Sequence, residues 1–228
     1  MIFSYGEIKI EIPDEYNYVY YATFIAGEWD LLKLNKNDVV LDAGAFIGDF
    51  TLKIAKKVKK VVSVEPLPWA FELLKKNVEI NKLNNVILVN KALYDKDGIK
   101  LKLENKGTGS KISESGDIEV ETVTIDSLGE FDVVKMDIEG AEGIIIKEDS
   151  KWLDNVREIE LELHGKENIE RIPKILKNKG FKIKYLDKFD LIKNTIKNIL
   201  SHPYDFIKAE MNTKILLKTL NKNIEFLH

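Results

Sequence analysis

The stretch that decides the fold is VVLDAGAFIGDFT, residues 39–51. Its apolar opening predicts a buried strand that ends at Asp42, and the turn that follows contains Gly44 and Gly48. Two glycines relax the backbone there, so that a ligand can approach the main chain closely before a helix begins near Asp49. Because the N–H groups of a glycine turn and of a helix start attract negative groups, the stretch predicts a ligand-binding turn.

This turn matches neither of two common nucleotide-binding motifs. The pattern G-x-G-x-x-G fails because Phe46 and Asp49 stand at its second and third glycine positions, and no G-K-[ST] follows at P-loop spacing. An acidic residue nevertheless ends the next apolar run. Glu65 follows Asp42 at about the spacing of a carboxylate that accepts hydrogen bonds from ribose hydroxyls, so the two features together predict an adenosine-containing ligand.

The chain alternates between apolar runs and helical patterns. Continuous apolar runs joined by helices are typical of parallel strands covered on both faces, so we predict a doubly wound, Rossmann-like α/β sheet with right-handed crossovers. Helical spacing runs from Phe71 to Val78, and a second helix is predicted over about 168–179, with Pro173 near its first turn and Gly180 beyond its end. Core strands are predicted at VVLDA (39–43), VVSVE (61–65), NVILVN (85–90), DVVKMD (132–137) and REIELEL (157–163).

Segments outside this core predict less buried elements. FKIKYL (181–186) and TKILLKTL (213–220) alternate in polarity and predict an antiparallel pair near one edge, which brings the mostly parallel sheet to seven strands. Turn signals within 94–130 predict a β-hairpin inserted before the fourth core strand. GEIKIEI (6–12) predicts an N-terminal strand, followed by an aromatic-rich helix over about 15–32.

We interpret the 228 residues as a single domain. Its parts would be an N-terminal cover (1–38), a cofactor-binding core that contains the hairpin insertion (39–186), and a C-terminal helix and strand (187–228). The cover, the insertion and segment 187–212 are expected to set acceptor specificity, although the sequence does not predict their individual roles.

Composition narrows the chemistry. The chain has no cysteine, so thiolate nucleophiles and thiolate metal ligands are excluded. A net charge of −3 gives no strong signal for nucleic acid, and the run KIAKKVKK (53–60) is interpreted as solvated lysines on an amphipathic helix with Phe50, Ile54 and Val58 inside. No apolar run predicts a membrane span and no signal peptide is indicated, so we expect a cytoplasmic protein.

Six stretches follow one another in a specific order: LDAGAFIGDFT, VVSVEPLPWAFELLKKNVEINKL, VNKALYDKDG, VTIDSL, VVKMDIEGAE and LELHG. Together, from about Val39 to Tyr185, they resemble the FkbM-type methyltransferases within the class I, S-adenosylmethionine-dependent group. KMDIEGAE (135–142) is the most specific element, and LDAGAFIG supports the broader cofactor-binding class.

The resemblance implies S-adenosylmethionine as the cofactor. The turn from Asp42 to Gly48 would lie beside the methionyl part, Glu65 would hold the ribose hydroxyls, and segment 90–93 would line the adenine. Asp137, at the end of the fourth strand, is our candidate for a carboxylate that stabilises the positive charges of the donor. The candidate cofactor residues are thus Asp42, Gly44, Ala45, Phe46, Gly48, Glu65, Asn90, Ala92 and Asp137.

Methyl transfer to an oxygen requires a positioned acceptor and a base for its proton. His164 is the first candidate base, because an imidazole with an unperturbed pKa of about 6.5 suits neutral pH, and Glu139 is the competing candidate. Glu160 and Glu162 share one strand face with His164 and would hold it in position. Lys135 would hold a carboxylate or orient the acceptor.

Three functions stay open at this point. The resemblance implies an enzyme that O-methylates a hydroxyl of a small molecule or glycan. The alternatives are methylation of RNA or protein, and a non-catalytic S-adenosylmethionine-binding interaction module. No metal is predicted, although Asp137, Glu139 and His164 are chemically able to bind a divalent one. The sequence predicts neither the identity of the acceptor nor the oligomeric state.

Overall fold

The structure, a computed structural model, describes residues 1–113, 115–208 and 226–227. Its strands are β1 (Ile2–Tyr5), β2 (Ile8–Glu11), β3 (Val39–Ala43), β4 (Lys60–Val64), β5 (Val86–Val89), β6 (Ala92–Leu93), β7 (Lys100–Glu104), β8 (Lys111–Ile112), β9 (Ile118–Val123), β10 (Val133–Met136), β11 (Glu158–Glu162) and β12 (Phe226–Leu227). Its α-helices are α1 (Tyr18–Tyr20), α2 (Asp49–Ile54), α3 (Pro68–Ile80), α4 (Ile125–Leu128), α5 (Glu142–Ile145), α6 (Lys166–Asn178), α7 (Lys188–Ser201) and α8 (Pro203–Lys208). Short 3-10 turns occupy Asp14–Tyr16, Ala55–Lys57, Gly107–Gly109 and Lys151–Asn155, and a π-helical segment spans Tyr21–Ala26.

The central sheet has the predicted doubly wound, mostly parallel plan. Its strand order is β12-β11-β10-β3-β4-β5, and every described pair is parallel except β11 with β12. The five predicted core strands are confirmed, each within one residue of its predicted bounds. The order reverses between β3 and β10, where Asp42 lies beside Lys135. In such sheets ligands bind beyond the carboxyl ends of the strands at this switch point.

Both faces of the sheet are covered. β10 is buried throughout, and β3 and β4 are buried except at their first residues. The N-terminal segment, α2 and α3 form one apolar cluster with the sheet, and α6 and segment 145–156 form a second. The neighbours Val40 and Leu41 belong to different clusters, as the alternation of side chains along a strand requires. Within the described ranges, no helix has the length and apolar character of a membrane span.

The predicted seventh strand is not found in the described part of the sheet. FKIKYL (181–186) is irregular, with one bridge residue at Tyr185, and β12 pairs antiparallel with Leu161 and Glu162 of β11. TKILLKTL (213–220) lies outside the described residues. α6 begins earlier than predicted, so that Pro173 lies inside the helix, whereas Gly180 follows its end with a φ of 94° as expected.

The N-terminal strand is confirmed as β2, which pairs antiparallel with β1. The predicted helix over 15–32 is instead a 3-10 turn, the three-residue α1 and the π-helical segment, which ends at Gly27 with a φ of 65°. Aromatic and β-branched residues lose side-chain freedom in an α-helix, so this stretch has little intrinsic preference for one. Tertiary packing determines its path, since Tyr20 and Phe24 are fully buried.

The inserted hairpin is confirmed by the antiparallel pairing of β7 with β9. β6 and β8 extend it to a four-stranded sheet with the order β6-β9-β7-β8. The turn that contains Gly107 packs against the N-terminal segment, where the Tyr18 hydroxyl lies 2.7 Å from the Thr108 hydroxyl. The insertion and the N-terminal segment therefore meet above the carboxyl ends of the core strands.

One lysine of KIAKKVKK, Lys53, is buried, so the prediction that the lysines of this run are solvated is wrong for this residue. The apolar side of α2 is buried as expected, but Lys53 is also only 6% exposed. Its Nζ lies 2.5 Å from Asp30 Oδ1 and donates to the carbonyl oxygen of Thr23 at 2.6 Å. Burial lowers the pKa of Lys53, while the charge of Asp30 opposes that shift. Lys53 therefore ties α2 to the N-terminal segment rather than facing solvent.

Candidate functional site

Two cavities lie at the carboxyl ends of the core strands. The first, of about 90 Å³, is enclosed by the loops after β3 and β4 and by the inserted sheet. The second, of about 550 Å³, lies between the glycine turn and the N-terminal segment. The residues that line both cavities, here called the shared wall, are Gly44, Phe46, Thr108, Asp137 and Glu139.

The glycine turn is held by close packing and by buried charge. Gly44 has a φ of 77°, and a Cβ atom there would overlap the backbone oxygen of Asp137. Lys135 Nζ donates to the carbonyl oxygen of Gly44 at 2.7 Å and lies 3.3 Å from Asp42 Oδ1. The Thr51 hydroxyl donates to the other oxygen of Asp42 at 2.6 Å. The Asp42 and Lys135 side chains thus hold the backbone of the glycine turn in place through buried contacts.

Not every residue of the predicted turn reaches a cavity. Asp42, Ala45 and Gly48 line neither cavity. Asp42 is fully buried, Ala45 donates its N–H to the carbonyl oxygen of Val64 at 3.0 Å, and Gly48 precedes α2 with a φ of 91°. These three residues shape the turn, whereas Gly44 and Phe46 line both cavities.

Two residues of the shared wall have a backbone conformation that side chains disfavour. Phe46 has a φ of 48° and Glu139 a φ of 53°, and Lys82 is the third non-glycine residue with a positive φ in the described part of the chain. Such conformations cost about 1–3 kcal/mol and persist where the surroundings fix them, often at functional sites. The N–H of Phe46 is fixed in this way, since it donates to Glu65 Oε2 at 2.8 Å.

Glu65 lies in the wall of the first cavity and is 5% exposed. Each carboxylate oxygen accepts one backbone N–H at 2.8 Å, from Phe46 and from Leu67. Burial raises the pKa of Glu65 to about 7, although these two hydrogen bonds oppose the shift. A carboxylate has about four acceptor positions, so about two remain for further donors.

The rest of the first cavity is largely apolar. Pro66 and Leu67 line it together with Ala92 and Leu93. Asn90, which the resemblance placed beside them, is exposed and lines neither cavity. Its amide donates to the backbone oxygens of Glu65 and Pro66, at 2.8 and 3.2 Å, so it holds the loop after β4 from outside.

His164 stands among carboxylates. Its Nδ1 lies 3.1 Å from Glu142 Oε1, while its Nε2 lies 3.5 Å from Glu139 Oε2 and 3.8 Å from Glu162 Oε1. Glu142 is fully buried and accepts a further hydrogen bond from Asn168 Nδ2 at 3.0 Å. The sequence indicated neither Glu142 nor Asn168 as part of this site.

The pKa values of this group favour Glu139 over His164 as a base. Burial alone would lower the pKa of His164, but its hydrogen bond to Glu142 and the charges of Asp137 and Glu139 outweigh burial and raise the pKa to about 9. Burial and the charge of Asp137 raise the pKa of Glu139 to about 7. A pKa of about 9 favours the protonated ring at neutral pH, and His164 lines neither cavity; both observations favour Glu139, and His164 as the base stays a prediction.

Three ligand-type atoms lie close enough together for a metal ion to be considered. One atom each from Asp137, Glu162 and His164 lies within 4.8 Å of the other two. A histidine binds metal through an unprotonated nitrogen, so a metal ion at this position would have to displace the proton that the surrounding carboxylates stabilise on His164.

The second cavity is acidic. Lys135 is the one cationic side chain among the described residues that line it, and its Nζ also lies 4.8 Å from the centroid of the Trp29 ring. Glu28 and Trp29 come from the N-terminal segment, for which the sequence predicted a role but no particular residue. The carboxylates in its lining are Glu28, Asp49, Asp137, Glu139 and Glu162.

Comparison with known proteins identifies similar sequences and folds. The family model described as methyltransferase FkbM domain matches residues 42–183. An uncharacterized RNA methyltransferase of Oceanobacillus iheyensis is 49% identical over 53 residues, which cover 23% of this chain and 12% of that protein. A tRNA(Phe) (4-demethylwyosine(37)-C(7)) aminocarboxypropyltransferase of Methanocaldococcus jannaschii is 44% identical over 70 residues, which cover 30% of this chain and 27% of that protein.

A solved structure extends the likeness to the fold. The crystal structure of methyltransferase FkbM from Methylobacillus flagellatus KT superposes with a TM-score of 0.56 at 17% identity, over 80% of this chain and 46% of that one. The chain therefore spans about half of that structure and less than a third of the two curated relatives. The superposition supports the doubly wound fold.

Proposed function

Because the chain belongs to the methyltransferase FkbM domain family and has a class I methyltransferase fold, we propose that it transfers a methyl group from S-adenosylmethionine to a hydroxyl of a small molecule or glycan. The observation that carries this proposal is the pair of cavities with one shared wall. The smaller cavity offers a buried carboxylate and apolar surface, the larger one has room for an acceptor, and the carboxylates of Asp137 and Glu139 stand between them.

The residues of the first cavity fit an adenosine-containing donor. The buried Glu65 carboxylate has acceptor positions left, and two neighbouring ribose hydroxyls would donate to them and favour its ionised form. Pro66, Leu67 and Ala92 offer apolar surface to a planar base. Since ligand sites are commonly about 300–1,000 Å³, the first cavity would have to widen when a nucleoside binds.

Asp137 is suited to the charged end of the donor. When bound, S-adenosylmethionine supplies an electrophilic methyl group on a positively charged sulfur. A carboxylate in the shared wall attracts that charge and an ammonium group nearby. Gly44 keeps the main chain in the same wall free of a side chain, so that the ligand can approach it closely.

Glu139 is the proposed base. It lines both cavities, so an acceptor hydroxyl in the second cavity can pass its proton to a Glu139 carboxylate oxygen. A pKa of about 7 leaves a large fraction of Glu139 ionised at neutral pH. The imidazolium of His164, held by Glu142, opposes the upward shift and thereby favours the ionised form. His164 is accordingly a positioning residue in this proposal.

The charge of the second cavity favours an uncharged acceptor. Its carboxylates repel a phosphodiester chain, and its one described cation, Lys135, is already engaged with Asp42 and Gly44. RNA is nevertheless the second candidate acceptor, because a relative from Oceanobacillus iheyensis is described as an RNA methyltransferase. The acidic lining makes a hydroxyl of a small molecule or glycan the better choice.

The test is methyl transfer from tritiated S-adenosylmethionine to fractionated cell extract. We expect label in the small-molecule or glycan fraction and a loss of about 10²–10⁴-fold in rate for Glu139→Gln, the range for general-base catalysis. Glu148→Gln, which changes an exposed glutamate, is the matched control and should transfer normally. Label that enters RNA and is released by ribonuclease would overturn the acceptor class. Donor binding without transfer to any fraction would instead support a non-catalytic module.

A further inference from the structure

An exposed apolar stripe runs along α7 and takes no part in the site described above. Phe189, Ile192, Ile196 and Leu200 are 73%, 48%, 55% and 75% exposed. Residues spaced by three and four positions lie on one side of an α-helix. The opposite side is buried and consists of Leu191, Asn194, Thr195 and Asn198. The buried side of α7 therefore contains both polar and apolar residues, whereas its exposed side carries an apolar stripe.

Two further exposed aromatic residues flank the helix in the sequence. Tyr185 precedes α7 and is 53% exposed, and Tyr204 follows it in α8 and is 79% exposed. Single exposed apolar residues are common on protein surfaces, but a contiguous patch marks an interaction site. We call these six side chains, four on α7 and the two tyrosines, the α7 stripe.

Lysines border the α7 stripe. At 100° per residue, Lys193 and Lys197 fall on one side of it and Lys188 on the other, and all three are exposed. Residues 181–201 contain five lysines and two aspartates, although the whole chain has a net charge of −3. An apolar stripe with lysines along both borders matches a negatively charged apolar surface, in which the lysine stems lie along the apolar layer and the ammonium groups reach anionic headgroups.

A second copy of the chain is a poorer occupant. Two antiparallel α7 helices that meet at their midpoints would bring Lys193 of one copy beside Lys197 of the other, so that like charges oppose the contact. The charges along the helix therefore favour a lipid surface over a second copy of the chain.

We propose that the α7 stripe docks this protein on an anionic membrane surface, with Phe189 and Leu200 entering the interface and Lys193 and Lys197 contacting lipid phosphates. The polar side of α7 is anchored to the protein, because Asn194 Nδ2 donates to the carbonyl oxygen of Gly27 at 2.9 Å. Docking would therefore hold the whole N-terminal segment, including the Glu28 and Trp29 wall of the second cavity, close to the membrane.

The test is co-sedimentation of the full chain with vesicles of phosphatidylcholine, with and without phosphatidylserine. We expect binding to the anionic vesicles that weakens as salt is raised and is much weaker on phosphatidylcholine alone. The double variants Phe189→Ser/Leu200→Ser and Lys193→Glu/Lys197→Glu should each lower the partition coefficient at least about tenfold, since apolar burial and charge both contribute. The altered side chains are exposed, so circular dichroism and thermal unfolding should match the wild type.

Ile87→Ser is the matched control, because Ile87 is 48% exposed but lies on β5, away from α7. It should bind vesicles like the wild type. Wild-type binding that is absent, is equal on both vesicle types, or persists in Phe189→Ser/Leu200→Ser would overturn the proposal. So would a dimer in sedimentation that this double variant abolishes without any vesicle binding. No donor is present in the assay, so its failure is distinguishable from a failure of the proposed methyl transfer.

Discussion

At the scale of single residues, burial and the surrounding charges give Glu139 and His164 different pKa values, and therefore different roles in the proposed proton transfer. Burial and Asp137 raise the pKa of Glu139 to about 7. Against the opposing effect of burial, Glu142 and Asp137 raise the pKa of His164 to about 9. Between these two values Glu139 is ionised while His164 is still positively charged. That pair of protonation states is the one the proposed mechanism requires.

The rate of methyl transfer should therefore depend on pH in two steps. It should rise as Glu139 ionises near pH 7 and fall as His164 loses its proton near pH 9. The two side chains interact, so these are apparent values of the pair. The measurement is kcat/KM against pH. Glu139→Gln should lose the rising limb and Glu148→Gln should keep both limbs, whereas a rising limb retained in Glu139→Gln would contradict the assignment.

The sequence predicted which residues meet at the ends of the core strands better than it predicted their pKa values. Glu65, Asp137 and Glu139 could be placed together because the carboxyl ends of parallel strands meet at one edge. The pKa of His164 could not be predicted, since it depends on Glu142, which lies 22 positions away in the chain. Glu28 and Trp29 could not be found either, because no local pattern predicts how the N-terminal segment packs.

At the scale of elements, the approach of β3 to β10 explains why a glycine stands at position 44. Gly44 and Gly98 both have positive φ, at 77° and 69°, so alanine is strained at either position. Only at Gly44 would the added Cβ also overlap a backbone atom, the oxygen of Asp137, whereas at Gly98 it meets nothing within 4 Å.

Alanine at these two positions should consequently differ in effect. We expect Gly98→Ala to lower the free energy of unfolding by about 1–2 kcal/mol, the strain of a left-handed residue. Gly44→Ala should lower it by several kcal/mol or prevent folding, because a backbone atom cannot move aside cheaply. Urea unfolding of both variants measures the difference. If both substitutions lower the free energy of unfolding equally, the close approach of β3 to β10 is not the reason for glycine at position 44.

The buried pair of Lys53 and Asp30 joins α2 to the N-terminal segment. Lys53→Ala leaves the Asp30 carboxylate buried without its cation, which should lower the free energy of unfolding by about 3–5 kcal/mol. Lys56→Ala is the matched control, since the Lys56 pair with Glu7 is exposed and should contribute little. Urea denaturation measures both, and an equally small effect of Lys53→Ala would mean that the pair does not hold these elements together.

Elements with a strong periodic pattern could be predicted, and elements defined by packing could not. The core strands are continuous β-branched runs, and their bounds were predicted within one residue. FKIKYL has the alternation of a strand but is largely irregular in the structure, because alternation alone does not specify a pairing partner. Segment 15–32 is apolar enough for a helix, yet its bends depend on contacts that no local pattern contains.

At the scale of the whole molecule, opposite charges are separated on different surfaces. The second cavity is lined by carboxylates, while the exposed border of the α7 stripe carries lysines. Net charge alone, at −3, indicates neither feature. The separation bears on both proposals, because a surface with exposed lysines favours anionic partners, whereas a cavity lined by carboxylates disfavours them.

The central claim is that the first cavity binds S-adenosylmethionine through Glu65, and calorimetric titration tests it most directly. S-adenosylmethionine and S-adenosylhomocysteine should bind the wild type, and ATP and NAD should not. Glu65→Ala should weaken binding by about 10–100-fold, since hydrogen bonds to a charged group are lost, while Glu72→Ala, an exposed control, should not. Thermal unfolding of each variant separates lost binding from lost folding. Equal binding of ATP or NAD, or unchanged affinity in a folded Glu65→Ala variant, would contradict the account.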